Sequence, residues 1–244
     1  MRRLPAPAVI AASLLVFAGC ASYEPLTPPE TTLSRDVSLT DRGDYLAIAP
    51  VDSGNETYEH GIIFYPGGLV EPEAYVSLLA PLAERGVPVA IVRVPFNLAV
   101  FGSDAAAIVL DDRFGDLAET WTLAGHSLGG AMAARFMARR SWDYESARGL
   151  ILLAAYPADS DPLRRYDIEV LSIWASNDGL ATAEDREETR ALLPEDTRYH
   201  VIEGGNHAGF GEYGPQDNDG ELEISRAEQH RTVRELIVGF LNEL

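Results

Sequence analysis

Not one lysine occurs among the 244 residues. A chain without lysine has no amine for a Schiff base, no P-loop lysine and no attachment point for pyridoxal phosphate, so those chemistries are excluded. Cysteine occurs once, at Cys20, which leaves thiol catalysis and cysteine-based zinc sites without support. Positive charge is also scarce: 19 arginines stand against 38 acidic residues, for a net charge of −19. Such a surface repels nucleic acid, whose binding needs a basic footprint, and solubility is the plainer reason for it. Any covalent chemistry therefore falls to Ser, Thr, Asp, Glu, Tyr or His.

The apolar run "AVIAASLLVFAG" (8–19) is twelve residues long, too short to span a bilayer comfortably. Behind the basic start "MRR" it has the layout of a secretory signal. It ends in "FAGC", which resembles the lipobox of bacterial lipoproteins, with Phe17 where that motif usually carries leucine. The resemblance implies cleavage before Cys20 and lipidation of Cys20. Residues 1–19 are thus expected as a signal peptide. The Pro- and Thr-rich stretch that follows makes 20–35 a lipidated cysteine and extended tether. Loss of Arg2 and Arg3 with the signal would make the chain more acidic still, so membrane attachment is expected from acyl chains alone. The expected location is the bacterial cell envelope, on the outer face of the cytoplasmic membrane or in the periplasm.

The remaining residues, 36–244, suit a single domain with a sizeable core. Short β-rich runs at 44–50, 60–65, 88–95, 120–125, 149–155, 167–175 and 198–204 read as strands. Between them lie stretches of helical spacing at 73–86, 103–112, 128–140, 183–193 and 223–244, with Pro81 expected to kink or break the first. Buried strands separated by helices imply an α/β fold with a mostly parallel sheet covered on both faces. About a dozen residues separate the strands ending near Ala155 and beginning near Asp167, too few for a helical lid, so the site is expected to be open.

Residues 123–130, "LAGHSLGG", contain the pattern G-x-S-x-G around Ser127. The pattern alone is weak, but here a strand precedes it and a helix follows. Small residues at 125, 129 and 130 let that helix approach the strand, and the serine sits at a helix N-terminus, which favours developing negative charge. A serine hydroxyl needs a neighbouring base. Of the five histidines, His60, His200 and His230 fall in or beside regular elements. The side chain of His126, next to Ser127, is expected to point elsewhere. His207, in the glycine-rich "EGGNHAGF" after the last strand, falls at the carboxyl edge of the sheet, where ligands gather in such folds. The carboxylate to orient it is read as Asp178 in "WASNDGL", with Asp159 and Asp161, after the preceding strand, as competitors.

These segments resemble the nucleophile elbow and the Ser…Asp…His chain order of the α/β-hydrolases, in particular compact, lidless bacterial members of the dienelactone-hydrolase-like group. The resemblance spans nearly all of 44–244 and is most specific at "FYPGG", "AGHSLGG", "SNDGL" and "GGNHAGFGEYGP". It implies a serine hydrolase cleaving small carboxylic esters through an acyl-enzyme, with Ser127 as nucleophile, His207 as base and Asp178 as its partner. No cofactor or metal is implied. For the oxyanion it implies the N–H groups of Leu128 and Gly68, with Leu69 as the alternative to Gly68; Pro66 replaces the family's histidine. Other uses of the same triad are thioester or C–C hydrolysis, and a protein of this fold that only binds a ligand or the envelope is the reading of a different class. The acidic loop 211–225 beside His207 reads as solvated and disfavours anionic substrates; a calcium-loop template started at Asp217 fails because Leu222 stands where glycine belongs.

Overall fold

Alternation of side chains along the central strands determines how this chain is layered. The computed structural model describes residues 22–51 and 57–244. Cys20 and the expected signal peptide lie outside the described residues. The strands are β1 (Val37–Asp41), β2 (Tyr45–Pro50), β3 (Tyr58–Tyr65), β4 (Val89–Val92), β5 (Ala118–His126), β6 (Ala147–Leu153), β7 (Glu169–Ala175) and β8 (Arg198–Ile202). They form one sheet in the order β1-β2-β4-β3-β5-β6-β7-β8. Pairing is parallel from β4 to β8, and β1 and β2 extend one side as antiparallel strands. The strand at β1 was not expected from the sequence: only Val37 of its five residues is buried, so it carries almost no hydrophobic pattern.

In β3, Ile62 and Phe64 face one core with the helices α1 (Val76–Ala83) and α5 (Arg226–Leu241), while Ile63 and Tyr65 face a second core with α2 (Ala105–Leu110) and α3 (Leu128–Arg140). Each such side chain taken fully out of water contributes about 1.5–3 kcal/mol, so two filled faces hold the parallel sheet. The helix α4 (Ala183–Thr189) buries no residue and is closed at its start by a capping box between Thr182 and Asp185. No break occurs at Pro81. The α1 helix runs through it to Ala83, and the Ser77 carbonyl that Pro81 cannot serve lies 3.5 Å from the Arg234 guanidinium of α5.

The stretch read as a tether is, from Ser22 onward, laid on the domain. Tyr23 donates its N–H to the Leu69 carbonyl (2.7 Å) and accepts from Glu71 N–H (3.0 Å), and Leu26 N–H reaches the Glu212 carbonyl (2.8 Å). Its apolar side chains explain the docking: the Tyr23 ring lies 5.5 Å from that of Tyr213, and Leu33 packs on the core.

His230 on α5 is buried at 3% exposure, and its pKa is pushed down to about 3 by burial and, secondarily, by the charges of Arg234 and Arg226. Unfolding therefore takes up a proton wherever the pH lies between about 3 and the ordinary value of 6.5. Stability contributed by the neutral ring is complete above 6.5 and is lost as the pH falls, by up to about 1.4 kcal/mol per pH unit. His230→Leu should flatten the fall of the urea midpoint between pH 6 and pH 4 by one proton's worth. An unchanged slope would remove His230 from the acid response.

Candidate active site

Four loops converge at the carboxyl edge of the sheet, following β3, β5, β7 and β8. The tightest is the turn from β5 to α3. Ser127 has φ 52° and ψ −124°, a conformation that costs a non-glycine residue about 1–3 kcal/mol. Its N–H donates to the Leu153 carbonyl at 2.9 Å, which anchors the turn on β6. The close approach explains the glycines. A Cβ at Gly125 would lie 2.6 Å from the Gly129 carbonyl carbon, and one at Gly129 would run into the carbonyl oxygens of Tyr65 and Pro66. Ser127 and Leu128 are half-buried, so the hydroxyl's neighbourhood is open to a substrate.

His207 and Asp178 meet as expected. The ring Nδ1 lies 2.7 Å from Asp178 Oδ2, and both side chains are buried, at 2% and 0% exposure. A carboxylate can only accept, so Nδ1 carries a proton, and in the neutral ring Nε2 presents its lone pair. Asp178 Oδ1 accepts from the N–H groups of Leu180 (2.8 Å) and Ala181 (2.7 Å), which hold the carboxylate in place. The two competitors are elsewhere. Asp159 is exposed, and Asp161 is buried with Arg139 at 2.6 Å and Arg135 at 3.6 Å, so it ties its loop to α3.

Of the expected oxyanion donors, Gly68 and Leu128 are neighbours: a Cβ at Gly68 would sit 3.2 Å from Leu128 Cδ2. Leu69 is unsuited, because its N–H is spent on the Asn97 carbonyl at 2.7 Å. Gly67 N–H is also committed, to the hydroxyl of Tyr75 (3.0 Å). The same hydroxyl is hydrogen-bonded to His126 Nδ1, 2.9 Å away. His126 does not point clear of the site; its ring centroid is 4.5 Å from that of His207. Burial, reinforced by the neighbouring His207, holds the His126 pKa well below the usual histidine range, so this ring stays neutral beside the other.

The loop carrying His207 is stitched from two sides. Gln229, fully buried on α5, donates to the Asn206 carbonyl (2.9 Å) and accepts from Asn206 N–H (3.2 Å). Asp219 accepts from the N–H groups of His207 (3.1 Å), Ala208 (2.9 Å) and Gly179 (3.3 Å). The acidic segment is thus a structural clasp between the histidine loop and the aspartate loop, which corrects its reading as merely solvated. Tyr75, Gln229 and Asp219 were not singled out from the sequence. Tyr75 and Gln229 look there like ordinary helix residues, and only the turn-like "DNDG" hints at Asp219.

This fold and arrangement define an α/β hydrolase. The family model described as "Alpha/beta hydrolase family" matches residues 61–231, and the chain belongs to that family. Similar solved structures include esterase 2 of Thermogutta terrifontis phosphorylated by paraoxon, with 14% identity over 84% of this chain and 94% of that one, at a TM-score of 0.58. The α/β hydrolase MGS-M1 from a Medee basin deep-sea metagenome library matches at 15% identity and TM-score 0.57, over 86% of this chain and 100% of that one. Est1E from Butyrivibrio proteoclasticus matches at 14% identity and TM-score 0.56, over 85% and 100%. At these identities the likeness shows the fold. No curated protein sequence matches the chain.

Removing the Asp219 carboxylate leaves four backbone donors, those of His207, Ala208, Gly179 and Gly220, without their acceptor. Asp219→Ala should lower the melting temperature by about 4–8 °C, given about 1–3 kcal/mol for stranded donors and a few degrees per kcal/mol in a domain of this size. Asp219→Asn, which keeps one acceptor oxygen, should recover much of that. An alanine variant melting with wild type would show that the loops hold without the clasp.

Proposed function

We propose that the chain is a serine hydrolase acting on carboxylic esters, with Ser127, His207 and Asp178 as its triad. The observation that carries this reading is the buried His207–Asp178 hydrogen bond, with the His207 ring against His126, the residue that precedes the serine in the strained turn between β5 and α3. Ser127 Oγ attacks the ester carbonyl carbon as its proton passes to His207 Nε2. Asp178 holds the tautomer and stabilises the imidazolium, and His126, neutral and buried, adds no competing charge. The tetrahedral oxyanion is met by the N–H groups of Leu128 and Gly68, neither of which makes a hydrogen bond among the described residues. Tyr75 positions the second of these through Gly67. Collapse breaks the bond to the alcohol oxygen, which takes the proton from His207 and leaves. Water, deprotonated by His207, then cleaves the acyl-Ser127 ester and releases the acid.

The likeness to esterase 2 of Thermogutta terrifontis supports the ester class. The short crossing between β6 and β7, without a helix, supports a place among compact dienelactone-hydrolase-like enzymes. We further propose, from "FAGC", that the protein is exported and anchored in the cell envelope through acylated Cys20.

Kinetics with a chromogenic short-chain ester test the triad. Ser127→Ala and His207→Ala should each cost at least about 10³ in kcat, and the double variant should be hardly worse than either. Asp178→Asn should lower kcat by about 10³–10⁴ through the wrong histidine tautomer, with KM little changed. Ser127→Ala retaining more than about a tenth of the activity would end the proposal. For the anchor, Cys20→Ser should move the protein from the membrane to the soluble fraction or block its processing. An unmodified, soluble N-terminus in the native host would refute it.

A further inference from the structure

The rim formed by residues 95–101, beside the loop that carries Gly68, is apolar and exposed. Phe96 is 80% exposed, Phe101 62% and Val100 49%, and the two rings meet edge to face with centroids 6.1 Å apart. The backbone presents them at a cost: Phe96 and Asn97 both lie in the left-handed region, at φ 58° and 53°, where bulky residues are strained. This loop is joined to the loop carrying Gly68, since the Asn97 carbonyl accepts the Leu69 N–H. The same asparagine donates from Nδ2 to Ser22 Oγ at 3.1 Å, and the strand-like contact of Tyr23 with Val70 follows directly. Leu26, three residues beyond Tyr23, is exposed as well, at 59%. The described chain therefore enters at this rim, and Cys20 is two residues upstream of Ser22, a reach of at most about 7 Å.

We propose that the mouth of the site rests on a phospholipid bilayer, with Phe96, Val100, Phe101 and Leu26 seated at its surface, and that the enzyme takes esters dissolved in that bilayer. The proposal rests on the anchored-hydrolase reading above and adds an orientation and a substrate source to it. The docked segment after Ser22 gives the anchor a short, bound connection to the site instead of a free tether. The acidic charge, −19 for the full chain and more negative without Arg2 and Arg3, selects a surface without net charge, such as phosphatidylcholine, over an anionic one. Apolar side chains exposed at one edge of an acidic protein and next to an acylation motif fit such a surface.

Tryptophan quenching in full-length protein reconstituted into brominated phosphatidylcholine vesicles tests this directly. Trp121 and Trp174 are buried, and the exposed Trp142 sits beyond the far end of α3 from Ser127, so wild type supplies the control. In Phe96→Trp the added emission should be quenched by at least half, against less than about a tenth for wild type. Equal quenching of both, or no association with vesicles, would overturn the proposal. The measurement needs no turnover and is repeated on Ser127→Ala, so failure of the catalytic reading stays distinguishable. The second arm compares a water-soluble acetate ester with a long-chain ester dissolved in phosphatidylcholine vesicles. Phe96→Asn/Phe101→Ser should keep the first rate within about twofold and lose at least tenfold on the second. Equal loss on both would make the rim a part of the site's fold instead of a lipid contact.

Discussion

The backbone at Ser127 is the constraint from which the rest of the site follows. Ser127 sits at φ 52° between a strand and a helix whose start nearly touches the strands beneath it. Gly125 and Gly129 permit that contact, and the Leu153 carbonyl holds the serine N–H against it. The strain is carried by the filled hydrophobic face under α3, because the helix cannot lift away without exposing the Met132–Phe136 side of its core. The result is a hydroxyl raised at the sheet edge with the N–H of Leu128 beside it.

Around this turn the other loops are held by buried polar pairs that allow few alternatives. Asp219 clasps the histidine and aspartate loops together, and Gln229 pairs twice with Asn206 from the opposite side. On the remaining side, the chain from Gly67 through Tyr75 to His126 joins the loop after β3 to the residue preceding the serine. His126 is neutral through burial, and for that reason it can lie against His207 without opposing a charge on it. Removing one member of such a buried pair strands its partner at a cost, so the pairs favour a single loop arrangement.

The parts legible in the sequence were those with a local code. The central strands and α3 showed in apolar runs and small residues, and the turn around Ser127 showed because strand, glycines and helix are contiguous. Asp178 and His207 were found by their place after strand ends, and they do hydrogen-bond. The same rule could not separate Asp178 from Asp161, since both follow a strand; only the position of Arg135 and Arg139 on α3 shows that Asp161 is a buried ion-pair residue. Tyr75, Gln229 and Asp219 act through partners 8 to 51, 23 and 11 to 40 residues away in the chain, and such pairings leave no periodic signal. The edge strand β1, with one buried residue, left none either.

The central claim is that Ser127 is a nucleophile, and the family resemblance of the fold does not by itself make it one. A similar esterase has been captured phosphorylated by paraoxon, which offers a direct probe. Peptide mapping of the paraoxon-treated protein should find a diethylphosphoryl group on the peptide carrying Ser127 and on no other, with activity lost in step with labelling. Labelling at a different residue, or full ester hydrolysis persisting after Ser127 is modified, would contradict the account.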